Sequence, residues 1–393
     1  MTSRRSQTPA VPSLLRRLNA RLVLETMHAV GPCTRADLVR HTGISPPTMS
    51  KLIEGLFEAG LVEEDPDRVL TNGRPGVRFR LAARNVQVLG AVVDVHSCTV
   101  LSCGLDGRIE PALTRTLDTP ADYPALLRAL TAALKDVRKQ RGVRCLGLGV
   151  TVPGLLNRDT RCVVFSPNMH FLDGHDLARD LAQKLDVEAL TLQEDYALCI
   201  AERMFGGARL LHDFAVVEMH AGFGAGMFSN GQFISGTDGY GGELGHITVN
   251  PDGPQCGCGN HGCLELYATD AAFARAVAAR RGRPAPMADL VAQARAGTFD
   301  PAPFLGPVLD YLAIGVAGLL NIFNPSAVFI YGDLFELGAD VLPQLRTRVE
   351  QRALRPSFKT CRIERSQVNK QLAAVSGIIQ HLHNQLGPRL GRA

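Results

Sequence analysis

Apolar residues in the stretch from residue 34 to 60 recur at helical spacing. Met49, Leu52, Ile53, Leu56 and Phe57 fall at i, i+3, i+4, i+7 and i+8, which predicts one buried stripe on one helix. Ser45 is placed to cap that helix, Pro46 suits its first position, and Ala59-Gly60 ends it. Upstream, Thr34-Arg-Ala-Asp37 has the form of a capping box and opens a shorter helix that stops at Thr42-Gly43. Two helices joined by a glycine-containing turn predict a helix-turn-helix. Leu61-Val62-Glu63 begins a strand, and Asp65-Pro66-Asp67 reads as a turn. Val77, Phe79 and Leu81 then alternate with Arg78 and Arg80, the period of a second strand. The hairpin forms a wing, whose loop Asn72-Gly-Arg-Pro-Gly76 carries Arg74. Residues 13–84 are thus expected to form a winged helix-turn-helix, after a disordered tail over 1–12.

Further on, Leu89-Gly-Ala-Val-Val reads as a strand, and Tyr311 to Phe323 is the longest apolar stretch before it stops at Asn324-Pro325. That stretch is shorter than a bilayer requires and predicts a buried helix. At 393 residues, 46% hydrophobic and 20% charged, the chain has globular composition and room for two or three domains. The first residues carry arginines with no apolar run behind them, so no signal peptide is read and a cytoplasmic location, away from membranes, is expected. Ten cysteines are too sparse for a disulfide framework.

Charge changes the picture once it is divided. Residues 1–84 hold 13 Lys/Arg against 8 Asp/Glu, and the remainder 29 against 30, so the net +4 is +5 and −1. A basic N-terminal module on a neutral body points to nucleic acid. In a helix-turn-helix the second helix meets base edges with its first residues. Ser45, Pro47, Thr48, Ser50 and Lys51 are the expected DNA contacts, with Arg74 reaching a minor groove.

His246, Cys256, Cys258 and Cys263 supply one imidazole and three thiolates, a full tetrahedral set for one structural zinc ion with no open position. His261 is a competing ligand, set unfavourably inside the tight cysteine loop. Here the chain acquires a family likeness. Glu243-Leu-Gly-His246 with Cys256-Gly-Cys-Gly-Asn-His-Gly-Cys-Leu-Glu265 resembles the signature of the ROK family of sugar kinases and sugar-responsive repressors. Gly149-Val-Thr-Val-Pro-Gly154, Phe165-Ser-Pro-Asn168, Gly222-Phe-Gly-Ala-Gly226 and Asn321-Ile-Phe-Asn-Pro325 extend it from about Val88 onward, and the winged helix is similar to that of the repressor branch. The resemblance implies an α/β chain: a winged helix-turn-helix, then a two-lobed actin/hexokinase-like (ribonuclease H-like) body. The smaller lobe would take residues 87–200 plus 371–393, and the larger 201–370, with the zinc loop and oligomerisation helices. It also implies that Asn168, Asp195, Glu243, His246 and Glu265 bind the hydroxyls of a sugar or sugar-phosphate effector, His246 turning one nitrogen to zinc and the other to sugar.

Kinases of the family carry Asp-x-Gly-Gly-Thr after the first strand of the body, where glycines admit phosphate to the backbone. Here the stretch is Asp94-Val-His-Ser-Cys-Thr99, with His96 and Ser97 in place of both glycines. The usual Gly-Thr-Gly begins His220-Ala-Gly222-Phe, and Tyr331-Gly332 stands where Gly-Gly borders adenine. Asn-Asp-Ala-Asn becomes Glu194-Asp-Tyr-Ala197, which keeps Asp195 as a vestigial base. The expected function is a repressor without kinase activity, a homodimer or homotetramer bound to an inverted-repeat operator. An active ATP-dependent sugar kinase bearing a winged helix is the alternative. A zinc-responsive regulator fits the closed ligand set poorly.

Overall fold

The structure is a computed structural model and describes residues 12–66 and 77–385. Helix α1 (Pro12–Val30) precedes strand β1 (Cys33–Thr34), helices α2 (Arg35–Thr42) and α3 (Pro46–Glu58), and strands β2 (Val62–Glu64) and β3 (Arg78–Leu81). The tail assigned to 1–12 lies outside the described residues up to position 11, and residue 12 already belongs to α1. The capping box of α2 is formed: Asp37 N donates to Thr34 Oγ1 (3.2 Å), and Thr34 N to Asp37 Oδ2 (2.8 Å). Gly43 ends the helix at φ 70°, a left-handed conformation that glycine takes without strain. On α3 the stripe buries Met49, Leu52, Ile53 and Leu56, while Phe57 is 50% exposed. Eight residues on from Met49 is about 80° round the helix, at the edge of the stripe. Ser45 precedes α3 but does not cap it through its side chain; its Oγ pairs with Thr48 Oγ1 at 2.9 Å. The strands order as β1-β3-β2, all antiparallel, with Phe79 and Leu81 inward. Val77 is exposed and precedes the strand. The wing loop with Arg74 lies outside the described residues.

The next sheet comprises β4 (Val86–Val93), β5 (Ser97–Cys103), β6 (Thr114–Asp118), β7 (Arg144–Val152) and β10 (Ala189–Gln193), ordered β10-β7-β4-β5-β6. Between β7 and β10 a short hairpin pairs β8 (Leu155–Leu156) with β9 (Val163–Phe165). β10, β7 and β4 run parallel, and β5 and β6 return antiparallel. Helices α4 (Tyr123–Arg141) and α5 (Leu177–Leu185) cover one face. Helix α6 (Glu194–Met204) follows β10 without a break, spanning residue 200.

The second sheet, ordered β13-β12-β11-β14-β15, comprises β11 (Phe214–Glu218), β12 (Gly224–Ser229), β13 (Gln232–Phe233), β14 (Ala327–Tyr331) and β15 (Arg362–Arg365). Five helices accompany it: α7 (Asp270–Arg281), α8 (Met287–Arg295), α9 (Ala302–Phe323), α10 (Val341–Glu350) and α11 (Arg355–Thr360). The apolar stretch from Tyr311 is the second half of α9, which begins nine residues earlier and has 22 residues. It is long and apolar enough to cross a membrane, but Leu305, Leu309, Leu312, Val316 and Leu320 are buried in the core of this lobe.

Helix α12 (Lys370–Asn384) covers the other face of the first sheet beside α6. The approach is close. A Cβ at Gly149 of β7 would fall 1.9 Å from the carbonyl oxygen of Ala374, and one at Gly377 2.0 Å from Leu192. One continuous core therefore runs from α1 through the winged helix and α12 to Phe214 and Phe329 of the second sheet. At its N-terminal end, His28 of α1 meets His383 of α12 (ring centroids 5.2 Å) and Phe205 (5.0 Å), and Arg17 Nη2 donates to the carbonyl of Asn384 (3.0 Å). Burial drives both imidazoles to the neutral form, His383 to about 3.

Candidate functional site

A cavity of about 410 Å³ opens where the carboxyl ends of β4, β7, β10 and β11 face one another. Crevices at that end of α/β sheets are the usual ligand seats, because the loops there are free to vary. Asp94 follows β4, Gln193 and Glu194 join β10 to α6, and Glu218 closes β11. Lys370, the first residue of α12, lines the cavity as well. The residues expected to bind effector, Asn168, Asp195, Glu243, His246 and Glu265, all line this cavity.

Each is held differently. Asp195 is buried at the start of α6, where Tyr196 N donates to its Oδ1 (2.7 Å). Burial, then the charge of Glu243, pushes its carboxyl up to about 7. Glu243 Oε1 accepts from Gln193 Nε2 (3.2 Å), and Oε2 lies 3.8 Å from His246 Nε2; burial raises this carboxyl too. Glu265 Oε2 accepts from Phe223 N (3.1 Å), which ties the Gly222–Gly224 turn to the cysteine loop. Asn168 is exposed at the rim.

The cysteine loop abuts this wall. His246, Cys256, Cys258 and Cys263 offer donor atoms that all lie within 4.8 Å of one another. Cys258 Sγ and Cys263 Sγ are 3.7 Å apart, and Cys256 Sγ is 3.7 Å from His246 Nδ1. A tetrahedron with metal–sulfur bonds of about 2.3 Å has sulfur–sulfur edges of about 3.8 Å, so the donors fit a metal ion. His246 turns Nδ1 to the sulfurs and Nε2 to the cavity. His261 is exposed and outside this group.

Lys370 was not among the residues singled out from sequence. Its Nζ donates to Asp94 Oδ2 (2.6 Å) and lies 2.9 Å from Glu194 Oε1 and 3.4 Å from Glu218 Oε1. Burial disfavours the ammonium, but Glu194, Glu218 and Asp94 outweigh it and hold the group charged. Burial lifts Glu194 to about 7 despite Lys370. It opposes ionisation of Glu218 also, yet Lys370 and His220 keep that carboxylate down at about 2. Next to this network His220 lies within 3.4–3.9 Å of Glu218, Asp333 and Asp270, with the Tyr331 ring 4.5 Å away. Against burial, Asp333 and Glu218 raise His220 to about 10. Sequence offers no local signal for Lys370, since 276 residues separate it from Asp94.

Just before α3 Ser45 is exposed, and on the helix Pro47, Thr48 and Lys51 are exposed and Ser50 is half-buried, with Pro47 and Lys51 opposite the buried stripe and Thr48 and Ser50 on its flanks.

Comparison with known proteins follows the same division. Residues 16–68 match the MarR family. The chain is 27% identical over 374 residues to the DNA-binding transcriptional dual regulator NagC of Escherichia coli, covering 92% of this chain and 91% of that protein. To the xylose repressor of Bacillus subtilis it is 28% identical over 342 residues, 86% of this chain and 88% of that one. A crystal structure of a ROK family transcriptional regulator, a homologue of the E. coli MLC protein, superposes with a TM-score of 0.76 at 24% identity, covering 95% and 98% of the two chains. Residues 98–384, which carry the second sheet, the first sheet apart from β4 and the start of β5, and the cavity lining apart from Asp94 and Val95, match the ROK family, and to that family the chain belongs.

Proposed function

We propose that this chain is a sugar-responsive DNA-binding repressor, in which α3 reads an operator and the cavity holds the inducing sugar. The observation that carries the reading is the placement of α12. Its first residue lines the cavity and its last turn packs on α1 of the winged helix, about 20 Å away along the helix axis. A sugar that closes the two lobes around the cavity shifts α12 against the sheets and carries the DNA module with it. Asp195, Glu243 and Glu265 accept the sugar's hydroxyls, which ionised carboxylates do strongly, with Asn168 at the rim. His246, Cys256, Cys258 and Cys263 hold one structural zinc, which fixes the loop between His246 and Glu265 and with it the wall that faces the sugar.

Phosphoryl transfer is not part of the reading. Lys370 occupies Asp94, whose loop lacks the phosphate-binding glycines, and Tyr331, at the position that the resemblance sets beside adenine, lies tilted against His220. Operator contacts fall to Ser45, Pro47, Thr48, Ser50, Lys51 and Arg74, in a homodimer or homotetramer on an inverted repeat. Ile322, Phe323 and Leu354, exposed on the second lobe, suit such an interface.

Coupling between two sites is reciprocal, so operator DNA weakens the sugar by the factor with which the sugar weakens DNA, typically about 5–150-fold. Calorimetric titration of sugar with and without operator measures it. Equal affinities would overturn the reading, and turnover of ATP with sugar would favour the kinase instead.

A further inference from the structure

We infer that the cavity takes an unphosphorylated sugar and rejects the matching sugar phosphate, with Lys370 and its three carboxylates as the determinant. The inference rests on the sugar-sensor reading and narrows it. Six carboxyl groups line the cavity: Asp94, Glu194, Asp195, Glu218, Glu243 and Glu265. Among the described residues its basic side chains are Lys370 and His246. The Lys370 ammonium is already surrounded by Asp94, Glu194 and Glu218. His246 is engaged at both nitrogens, 3.7 Å from Cys256 Sγ and 3.8 Å from Glu243.

Three backbone donors at or beside the cavity, where an anion would be cradled, are also spoken for. At the start of α6, Tyr196 N points to Asp195 Oδ1. In the glycine turn, Phe223 N points to Glu265 Oε2. At the start of α12, Leu372 N points to Asn369 Oδ1 (2.9 Å). His220 does not line the cavity, and it too is ringed by Glu218, Asp270 and Asp333.

The donor–acceptor count decides between the two ligands. A sugar hydroxyl brings one hydrogen to donate, which a carboxylate-rich wall accepts. A phosphate monoester near neutral pH brings about −1.5 to −2 charges and acceptor oxygens, which such a wall repels. Binding it would require pulling Lys370 from at least one of its carboxylates, leaving that charge buried without its partner. Lys370 therefore acts as an internal counter-ion. It neutralises the end of the cavity without offering itself to the ligand.

The test is calorimetric titration of the full chain with D-glucose, N-acetyl-D-glucosamine and D-xylose, and with the 6-phosphates of the two hexoses. At least one free sugar should bind, and a 6-phosphate should bind about tenfold or more weakly than its parent, a difference of about 1.4 kcal/mol. A 6-phosphate that binds as well as its parent, or better, overturns the inference and leaves the sensor reading standing. Binding by none of the five removes the sensor reading, and the inference with it. Glu218→Gln, which keeps the shape but releases part of the hold on Lys370, should narrow the ratio between free and phosphorylated sugar. An unchanged ratio in the folded variant removes Lys370 and its carboxylates as the determinant.

Discussion

Asp195 shows how one residue in this protein serves two opposed demands. Its carboxyl is buried at a helix start and lifted to about 7 by burial and by Glu243. Folding therefore holds a proton there that the unfolded chain releases near the ordinary carboxylate range, around 4. The group's contribution to stability falls as pH rises from about 4 to about 7, then changes no further. Glu194 and Asp270, lifted to about 7 by burial, share that window, so Asp195 accounts for only part of the slope. Asp195→Asn should raise the melting temperature of the sugar-free protein more at pH 8 than at pH 5. The same substitution should weaken sugar by about tenfold or more, since a hydrogen bond to a charged acceptor contributes about 1.5–3 kcal/mol. Melting curves at the two pH values and a sugar titration check both halves. Equal gains at pH 5 and 8 would show that Asp195 does not carry the cost.

Within single elements, the sequence was most readable where the determinants were local. The Thr34–Asp37 capping box and the buried stripe of α3 span four to nine residues, and both formed. Phe57 satisfied the same periodicity and still faces out, because position on a stripe's edge is settled by what packs against it. The donor set of the cysteine loop was equally legible, being packed into residues 246–263. Lys370 was not, since the carboxylates that explain it come from three other segments. The loop also has little apolar content of its own to order it, so metal and fold should be linked. Cys258→Ser should lower bound metal from about one ion per chain and weaken sugar in parallel, since Cys258 itself lines the cavity. Elemental analysis alongside a sugar titration reads both. Full metal content in the variant would exclude Cys258 as a ligand.

For the molecule as a whole, the proposed route between sugar and DNA runs through the seam between α12 and the first sheet. Gly149 has no room for even one added carbon, because the obstacle is the main chain of α12 at Ala374. Gly149→Ala should destabilise the protein by about 1–3 kcal/mol, as overpacking does. It should also reduce the effect of sugar on operator affinity, because the seam proposed to transmit the shift is pried apart. Chemical denaturation and operator titrations with and without sugar measure the two effects. A destabilised variant with coupling intact would place the transmission elsewhere.

The position of α12 also has a consequence for synthesis. The face of the first sheet that α12 covers is built from strands made long before it, Asp94 preceding Lys370 by 276 residues. At about 5–20 residues per second, that interval is on the order of 15–55 s. Throughout it the winged helix, complete by Leu81, has neither its buttress at His383 nor a finished cavity to answer to. A nascent chain thus carries its whole DNA-reading segment well before the helix that ties that segment to the cavity has been made.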